Sequence, residues 1–210
     1  KEKPTHIAVV FDPPGDKSFR VEQFSDYKAN REATPEDIKT SVPYIKAIIE
    51  GFKIPVIEIP GFEADDTIGT LAKKGKAAGY DVYMVTPDKD YAQLVEDGIY
   101  MYKPGRSGGD VEILGVKEVC EKYEIEKPEQ FIDILGMMGD SVDNIPGIPG
   151  VGLKTAIKFI KQFGSLEGLY ENTDKIKGKM KEKVEANREQ AFMSKELATI
   201  VIDVPVEFDE

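Results

Sequence analysis

The sequence predicts an α/β core followed by a helical subdomain, and two observations support this prediction. Over roughly the first two thirds of the 210 residues, short apolar runs alternate with segments of helical period, which is typical of a largely parallel sheet flanked by helices. After about residue 127, helical patterns follow one another with Gly or Pro between them. We therefore divide the chain into an α/β core at residues 1–126 and a helical subdomain at residues 127–210.

The elements follow in order from a predicted first strand at residues 6–11. Thr34 suits the N-cap of the next element, a helix, and Pro35 suits its first position. The apolar face of that helix carries Ile38, Val42, Ile45 and Ile49 at helical spacing. Further strands are predicted at residues 54–59, 81–86, 99–102 and 111–114, and helices at residues 63–79, 129–138, 153–163, 166–170 and 179–197, with a short one ending at Val95.

Composition narrows the class of protein. The single cysteine, Cys120, suits a reducing compartment. The sequence shows no apolar run near the length of a membrane span and no secretory pattern, so we expect a cytoplasmic protein. The net charge of −11 argues at first against nucleic-acid binding, but assigning eight acids to a metal site leaves −3 for the rest.

Acidic residues follow three of the predicted strands, at the edge where a parallel sheet binds ligands. Two more acids follow a predicted helix and join the others if the helical subdomain folds over that edge. An oxygen-only set without His or Cys favours Mg²⁺ or Mn²⁺, and two such ions can serve one phosphodiester. The predicted ligands are Asp12, Glu63, Asp65, Asp66, Asp88, Asp90, Asp140 and Asp143.

Each acid also has a plain structural explanation, as a helix cap, a favourable charge at a helix N-terminus or a turn former. Their shared edge favours metal binding, and we expect no Lys or Arg at matched positions to pair with them. The only histidine, His6, is predicted to be a strand residue, not a catalyst.

The sharpest local signal is a glycine-rich loop that leads directly into a predicted helix. Gly147, Gly150 and Gly152 permit tight turns, and the free amides of the helix N-terminus, with Lys154 nearby, suit the phosphate backbone of a nucleic acid. The alternative is a helix–turn–helix that only packs. A Walker loop is excluded because Leu153 separates Gly152 from Lys154.

A second basic segment lies after the first strand. Arg20, Lys28 and Arg31 can reach a phosphate beside the metal ions, and Tyr27 offers a face for base stacking. A solvated loop is the alternative explanation for this segment.

Seven motifs occur in an order that closely resembles the 5′→3′ exonuclease, or flap endonuclease, domain of bacterial DNA polymerases I, over essentially the whole chain. The motifs are Val10-Phe11-Asp12, Ser18-Phe19-Arg20, Tyr27-Lys28-Ala29-Asn30-Arg31, Glu63-Ala64-Asp65-Asp66, Thr86-Pro87-Asp88-Lys89-Asp90, Gly139-Asp140-Ser141-Val142-Asp143-Asn144 and the loop at residues 147–156. The resemblance implies a PIN-like sheet and a helix–three-turn–helix in the helical subdomain.

The resemblance also implies an activity: metal-dependent removal of 5′ flaps and RNA primers during DNA replication and repair. It makes the eight acids ligands of two Mg²⁺ or Mn²⁺ ions and places Lys28 and Arg31, with Arg20 beside them, at the scissile phosphate. The implied partners are 5′-flap or nicked DNA, RNA primer–DNA, a K⁺ ion at the helix–three-turn–helix and the parent chain's polymerase domain, at the bacterial nucleoid. The implied DNA-binding residues are Tyr27, Lys28, Arg31, Gly147, Gly150, Gly152, Lys154 and Thr155.

One departure from the family concerns its first strand, which carries a further metal-ligand Asp that this sequence lacks. We expect its absence to open the middle of the sheet, to weaken stability or favour association between copies, and to impair cutting more than DNA binding. Three alternatives stay open: a DNA-binding module, a PIN-type ribonuclease and an unrelated acidic α/β protein.

Overall fold

The computed structural model describes residues 3–14, 18–105 and 109–208. The predicted α/β core followed by helices is confirmed. The strands are β1 (Val9–Val10), β2 (Val56–Ile57), β3 (Val82–Val85), β4 (Ile99–Lys103) and β5 (Glu112–Leu114), and a 3-10 turn spans Lys89–Leu94. The helices are α1 (Phe19–Gln23), α2 (Glu36–Gly51), α3 (Ala64–Ala77), α4 (Val116–Tyr123), α5 (Gln130–Met138), α6 (Leu153–Phe163), α7 (Leu166–Glu171), α8 (Lys179–Ala186) and α9 (Arg188–Ala198).

The expected single sheet is divided in two within the described ranges. Parallel strands β1 and β2 form one sheet, while β3, β4 and β5 form another in which β3 and β4 are parallel and β5 is antiparallel. The segments leading into β1 and β3 meet, since the rings of His6 and Tyr80 contact edge to face with centroids 4.8 Å apart. His6 is exposed and lies before β1, so it is not the strand residue that the sequence predicted.

The larger sheet buries one face only. Met84, Met101 and Leu114 point into the core, where their exposure is 3% or less. On the opposite face, Tyr83 is 49% and Val85 68% exposed. A parallel strand pair with one open face is unusual, because helices normally cover both.

Helix α2 is also largely uncovered. It contains no buried residue, and Ile38 and Ile45 on its apolar face are 53% and 44% exposed. The helix starts at Glu36, so Pro35 is its N-cap instead of its first residue. The apolar face predicted from the sequence therefore exists but is only partly covered: Val42 and Ile49 are half-buried, and the helix contacts β2.

The helical subdomain is tightly packed around α5. Ile134 and Leu135 are fully buried, and Gly136 allows α9 to approach closely, because a Cβ at this position would lie 2.7 Å from the Lys195 Cβ. The predicted helix at residues 179–197 is broken into α8 and α9 at Asn187, whose side-chain amide donates to the Lys183 carbonyl oxygen. A side chain that bonds to the preceding turn in this way ends the helix locally.

The segment after α9 joins the two halves. It runs along α3, where the Val204 amide donates to Thr70 Oγ1 at 3.1 Å. Gly69 makes room for it, since a Cβ there would lie 2.9 Å from Ile200 Cγ2. Among the helices that the structure describes, none is long and apolar enough to span a bilayer.

Candidate active site

The acidic residues of the α/β core gather around the first turn of α3. Asp12 follows β1, and its Oδ1 accepts a hydrogen bond from the Ala64 backbone N at 2.7 Å. Asp65 lies in that first turn, where its Oδ1 accepts from the Tyr91 hydroxyl at 2.6 Å. Tyr91 belongs to the 3-10 turn that Asp88 caps. The acids that follow β1, β2 and β3 therefore share one region, as the sequence predicted from strand order.

The surroundings of two acids in this region disfavour the ionised carboxylate and raise the pKa. Burial, with the carboxylates of Asp88 and Glu63 nearby, raises the pKa of Asp65 to about 6. Burial likewise raises the pKa of Asp90 to about 6, although Lys89 opposes the rise. Asp90 Oδ1 is buried and accepts no hydrogen bond from the described residues, although the Lys89 ammonium forms an ion pair with it at 3.2 Å. A buried carboxylate of this kind is stabilised by a neighbouring cation.

Basic side chains pair with several of the acids, which corrects the expectation that no Lys or Arg would do so. The sequence does not reveal these pairs, because the partners are far apart along the chain and meet only when it folds. Lys89 alone among these basic residues is also adjacent in sequence to predicted metal ligands, Asp88 and Asp90. The pairs are Lys28–Glu63, Arg31–Asp143, Lys89–Asp140 and Arg20–Asp66.

Arg20 and Asp66 form a buried ion pair. The exposure of Arg20 is 3% and that of Asp66 is 0%, and two hydrogen bonds of 2.8 and 2.7 Å join them. Arg20 also donates to the carbonyl oxygens of Leu197 and Thr199, and Asp66 accepts from the Val201 amide. Arg20 therefore cannot reach a phosphate and Asp66 offers no oxygen to a metal ion, which corrects both predicted roles. The pair instead fastens the segment after α9 to α3.

Tyr27 and Lys28 are also fixed by contacts with other residues of the chain. Tyr27 is 5% exposed, its hydroxyl donates to Glu63 at 3.2 Å, and the Lys28 ammonium lies over its ring. It offers no stacking face, which corrects that prediction. Lys28 takes a left-handed backbone with φ 56, and its amide donates to the Asp143 carbonyl oxygen at 2.9 Å. This contact fixes the basic segment against the loop that follows α5.

The loop after α5 brings its two acids to the same region. Asp140 Oδ1 accepts from the Val142 amide at 2.7 Å. Burial acts to raise the pKa of Asp140, but hydrogen bonds from Lys89 and from this amide outweigh it, so the pKa lies below its usual range. Arg31 pairs with Asp143 while remaining 49% exposed. The helical subdomain thus contributes two carboxylates to the cluster, those of Asp140 and Asp143.

The cluster has the composition of a site for a hard divalent cation. In the ranges 3–14, 18–105 and 109–208, no three acidic side chains already stand in the arrangement that holds an ion. The donors are carboxylate oxygens only, and Asp90 Oδ1 makes no hydrogen bond within the described residues although the Lys89 ammonium lies 3.2 Å from it. Basic side chains occupy oxygens that an ion would need. The residues therefore supply the oxygen donors for a divalent cation once those side chains give way.

The glycine loop has a buried part and an exposed part. Gly147 has φ 61, its amide donates to Ser194 Oγ at 3.0 Å, and a Cβ there would lie 2.4 Å from Gly139 N. Gly147 therefore packs the loop against the helices, which corrects its assignment to DNA binding. Gly150 and Gly152 are exposed and remain candidates for it.

Helix α6 presents an N-terminus suited to an anion. Gly152 caps it without a side chain, and its first turn carries no acid, so no side chain of the described residues occupies the amides of Leu153 and Lys154. The Thr155 amide donates to the Gly152 carbonyl oxygen at 2.9 Å. Lys154 is exposed and Thr155 half-buried beside them. Lys183 of α8 also lies beside this loop, since its Nζ would be 2.8 Å from a Cβ built on Gly150.

Comparison with known proteins agrees with this arrangement. The family described as 5′-3′ exonuclease, N-terminal resolvase-like domain, matches residues 1–124, and the family described as 5′-3′ exonuclease, C-terminal SAM fold, matches residues 126–210. DNA polymerase I of Bacillus subtilis is 47% identical over 207 residues, which are 98% of this chain and 23% of that protein. DNA polymerase I of Bacillus caldotenax is 41% identical over 99% of this chain and 24% of its own length. The chain thus spans under a quarter of these relatives.

Solved structures give the same likeness. T5 5′-exonuclease with bound divalent zinc ions has a TM-score of 0.78 and 26% identity, covering 92% of this chain and 74% of that one. The catalytic core of Rad2 in complex with a DNA substrate has a TM-score of 0.58 and 19% identity, covering 93% and 65%. The Rad2 likeness supports the fold alone.

Proposed function

The chain belongs to the 5′-3′ exonuclease family, and from this premise we propose that it hydrolyses phosphodiester bonds at the 5′ ends and 5′ flaps of DNA with divalent cations. The observation that carries the proposal is the meeting of acids from both halves of the molecule at the first turn of α3. Basic side chains that remain partly exposed lie beside them. Structural relatives with bound metal ions support the need for a metal.

We assign the metal site to seven of the eight predicted acids and exclude Asp66, whose oxygens are used internally. When bound, two Mg²⁺ or Mn²⁺ ions supply an activated water and neutralise charge on the phosphate. The protein's part is to hold the carboxylates at fixed places: the Ala64 amide orients Asp12, and the Tyr91 hydroxyl orients Asp65. The proposed ligands are Asp12, Glu63, Asp65, Asp88, Asp90, Asp140 and Asp143.

Lys28 and Arg31 are the proposed phosphate-binding residues. Their side chains are 23% and 49% exposed, and their present partners are carboxylates that belong to the proposed metal site. A carboxylate shared with a metal ion holds a basic side chain less strongly, so both cations can turn toward a phosphate. Because Lys28 is fixed at its backbone, its ammonium has a defined range of reach.

The exposed part of the glycine loop is proposed to hold duplex DNA by its backbone. Gly150 and Gly152 permit close approach, and the free amides of α6 with Lys154 and Thr155 bind phosphate oxygens. A K⁺ ion at this loop is part of the proposal. Loop and metal site stand in fixed relation, because the backbones of Asp140 and Ile145 pair with each other at the loop's base.

The relatives named DNA polymerase I suggest a setting for this activity. We propose that the chain removes flaps and RNA primers during replication and repair, beside a polymerase domain. Nicked or flapped duplexes and RNA primer–DNA would be its substrates.

The test is cleavage of a duplex with a labelled 5′ flap, in Mg²⁺ or Mn²⁺ and in EDTA. We expect metal-dependent cutting at the flap junction that is abolished by Asp140→Asn, which removes a charge and keeps the shape of the side chain. Lys39→Gln, an exposed change on α2, should cut like the unaltered chain.

Two outcomes would replace the proposal. Flap binding without cutting in either metal would make the chain a structure-selective DNA-binding module. Preferential cutting of RNA over flap DNA would favour a PIN-type ribonuclease. Binding is therefore measured on the same substrates by fluorescence anisotropy.

A further inference from the structure

Lys89 is a cation inside the proposed metal site that none of the roles above explains. It lies between Asp88 and Asp90 at the start of the 3-10 turn. Its Nζ pairs with Asp140 Oδ2 and lies 3.2 Å from Asp90 Oδ1. One ammonium thus bridges an acid of the α/β core and an acid of the helical subdomain.

The two carboxylates are less exposed than the lysine that joins them. The side chains of Asp90 and Asp140 are 17% and 9% exposed, against 38% for Lys89. The ammonium therefore reaches in from the solvent side, and its side chain can turn out to water without a backbone change. Its bond to Asp90 is imperfect, since Asp90 Oδ1 makes no hydrogen bond within the described residues.

The other cations of the site are tied down differently. Arg20 is buried and its guanidinium makes four hydrogen bonds. Lys28 is fixed to Asp143 through its backbone amide as well as through its side chain. Among the described acids, the Arg31 side chain pairs with Asp143 and with none around the 3-10 turn. Lys28 also bridges the two halves, since its Nζ lies 2.7 Å from Glu63 and 3.9 Å from Asp143, but its side chain is 23% exposed against 38% for Lys89. Lys89 thus combines a bridging position with the more open path to solvent.

We propose that the Lys89 ammonium is an internal counter-cation, which occupies the edge of the site between Asp90 and Asp140 until a divalent ion displaces it. This inference rests on the metal site of the proposed function. Two cations cannot share these oxygens without strong repulsion, so binding of the metal requires the ammonium to leave. The lysine keeps Asp90 and Asp140 together when no metal is bound. Because a metal ion must displace the lysine, its affinity for the site is lower.

The first experiment measures Mn²⁺ binding to the metal-free chain by calorimetry and by the electron paramagnetic resonance signal of free Mn²⁺. We expect Lys89→Gln to bind Mn²⁺ roughly ten-fold more tightly, the factor that matches loss of a partly buried competing ion pair. Lys89→Arg, which keeps the charge, should stay near the unaltered chain. Lys39→Gln is the matched control, because Lys39 is an exposed lysine with one carboxylate partner. Unchanged or weaker binding by Lys89→Gln would overturn the proposal.

The second experiment needs no substitution and therefore stands even if the variant does not fold. The unaltered chain is acetylated with a limiting amine reagent with and without Mn²⁺, and each lysine is followed by peptide mass spectrometry. Release from Asp140 should speed acetylation of Lys89 several-fold on metal addition, while the rate at Lys39 stays constant. A rate at Lys89 that is equal or lower with metal would contradict displacement.

These readouts separate the inference from the function beneath it. If neither the unaltered chain nor Lys89→Gln binds Mn²⁺, the proposed metal site itself is wrong. If both bind with equal affinity, the site stands and only the role of Lys89 is refuted.

Discussion

Helices α2 and α5 are both rich in apolar residues, but their surroundings differ completely. In α5, Ile134 and Leu135 are fully buried, whereas in α2, Ile38 and Ile48 are 53% and 60% exposed. The difference extends to their neighbours, since α2 lies beside the two-stranded sheet of β1 and β2, whereas α5 is surrounded by α6, α7 and α9. An apolar period therefore predicts which face a helix can bury, and only the fold decides whether a partner is present. Stability should depend on the helical half and on its junction with α3, and much less on α2.

The largest expected effect lies at the junction of the two halves. Arg20→Ala removes one partner of a buried, bidentate ion pair and leaves Asp66 charged without its counter-ion. We expect a loss of about 3–5 kcal/mol in the free energy of unfolding, measured by urea denaturation. Arg31→Ala removes a much more exposed pair and should cost no more than about 1 kcal/mol. Equal losses would show that the segment after α9 is not fastened by Arg20.

A direct comparison of the two helices comes next. Leu135→Ala should cost about 2–5 kcal/mol, because it leaves a cavity in a packed core. Ile48→Ala on α2 should cost less than about 0.5 kcal/mol, as is usual for an exposed site. Both are measured by urea denaturation under the same conditions. A large cost at Ile48 would mean that α2 is covered in solution, for example by a second copy of the chain.

Glycine substitutions sharpen the same contrast at smaller scale. Gly136→Ala places a Cβ 2.7 Å from the Lys195 Cβ and should cost about 1–3 kcal/mol by forcing α5 and α9 apart. Gly51→Ala at the end of α2 meets no atom within 4 Å and should be neutral or stabilising by up to about 1 kcal/mol. Thermal melting of both variants checks the pair. Similar melting temperatures for the two would contradict the close approach of α9.

The sequence predicted some of these features and could not predict others. Helix α6 has the predicted bounds because its apolar period, its leading glycines and Gly164 after its end all agree locally. The short α1 and α4 were missed, although α7, which is shorter than α4, was predicted. Strand order correctly brought the acids after the first three strands into one region, although those strands belong to two sheets and not to one. The Arg20–Asp66 pair was not foreseen, because its members lie 46 residues apart and no local pattern joins them.

The smallest expected effect is a pH dependence centred on the acids between the two halves. Asp65 and Asp90 have pKa values raised to about 6, chiefly by burial, so the folded chain binds their protons before the unfolded chain does. Stability of the metal-free protein should therefore rise as pH falls from 7 to 5, by about 1 kcal/mol for each carboxyl. The lowered pKa of Asp140 acts in the opposite sense but only below about pH 4, where its unfolded form titrates.

This pH dependence can be assigned by substitution. Asp90→Asn removes one of the two raised carboxyls and should roughly halve the gain in unfolding free energy between pH 7 and 5. Asp37→Asn, on the exposed first turn of α2, should leave the gain unchanged. Saturating Mg²⁺ should reverse the trend, since a bound cation favours the charged carboxylates and is lost as they take up protons. A metal-free protein that loses stability as the pH falls from 7 to 5 would show that these acids are solvated. The cluster would then be exposed to water, as α2 is, and not buried, as α5 is.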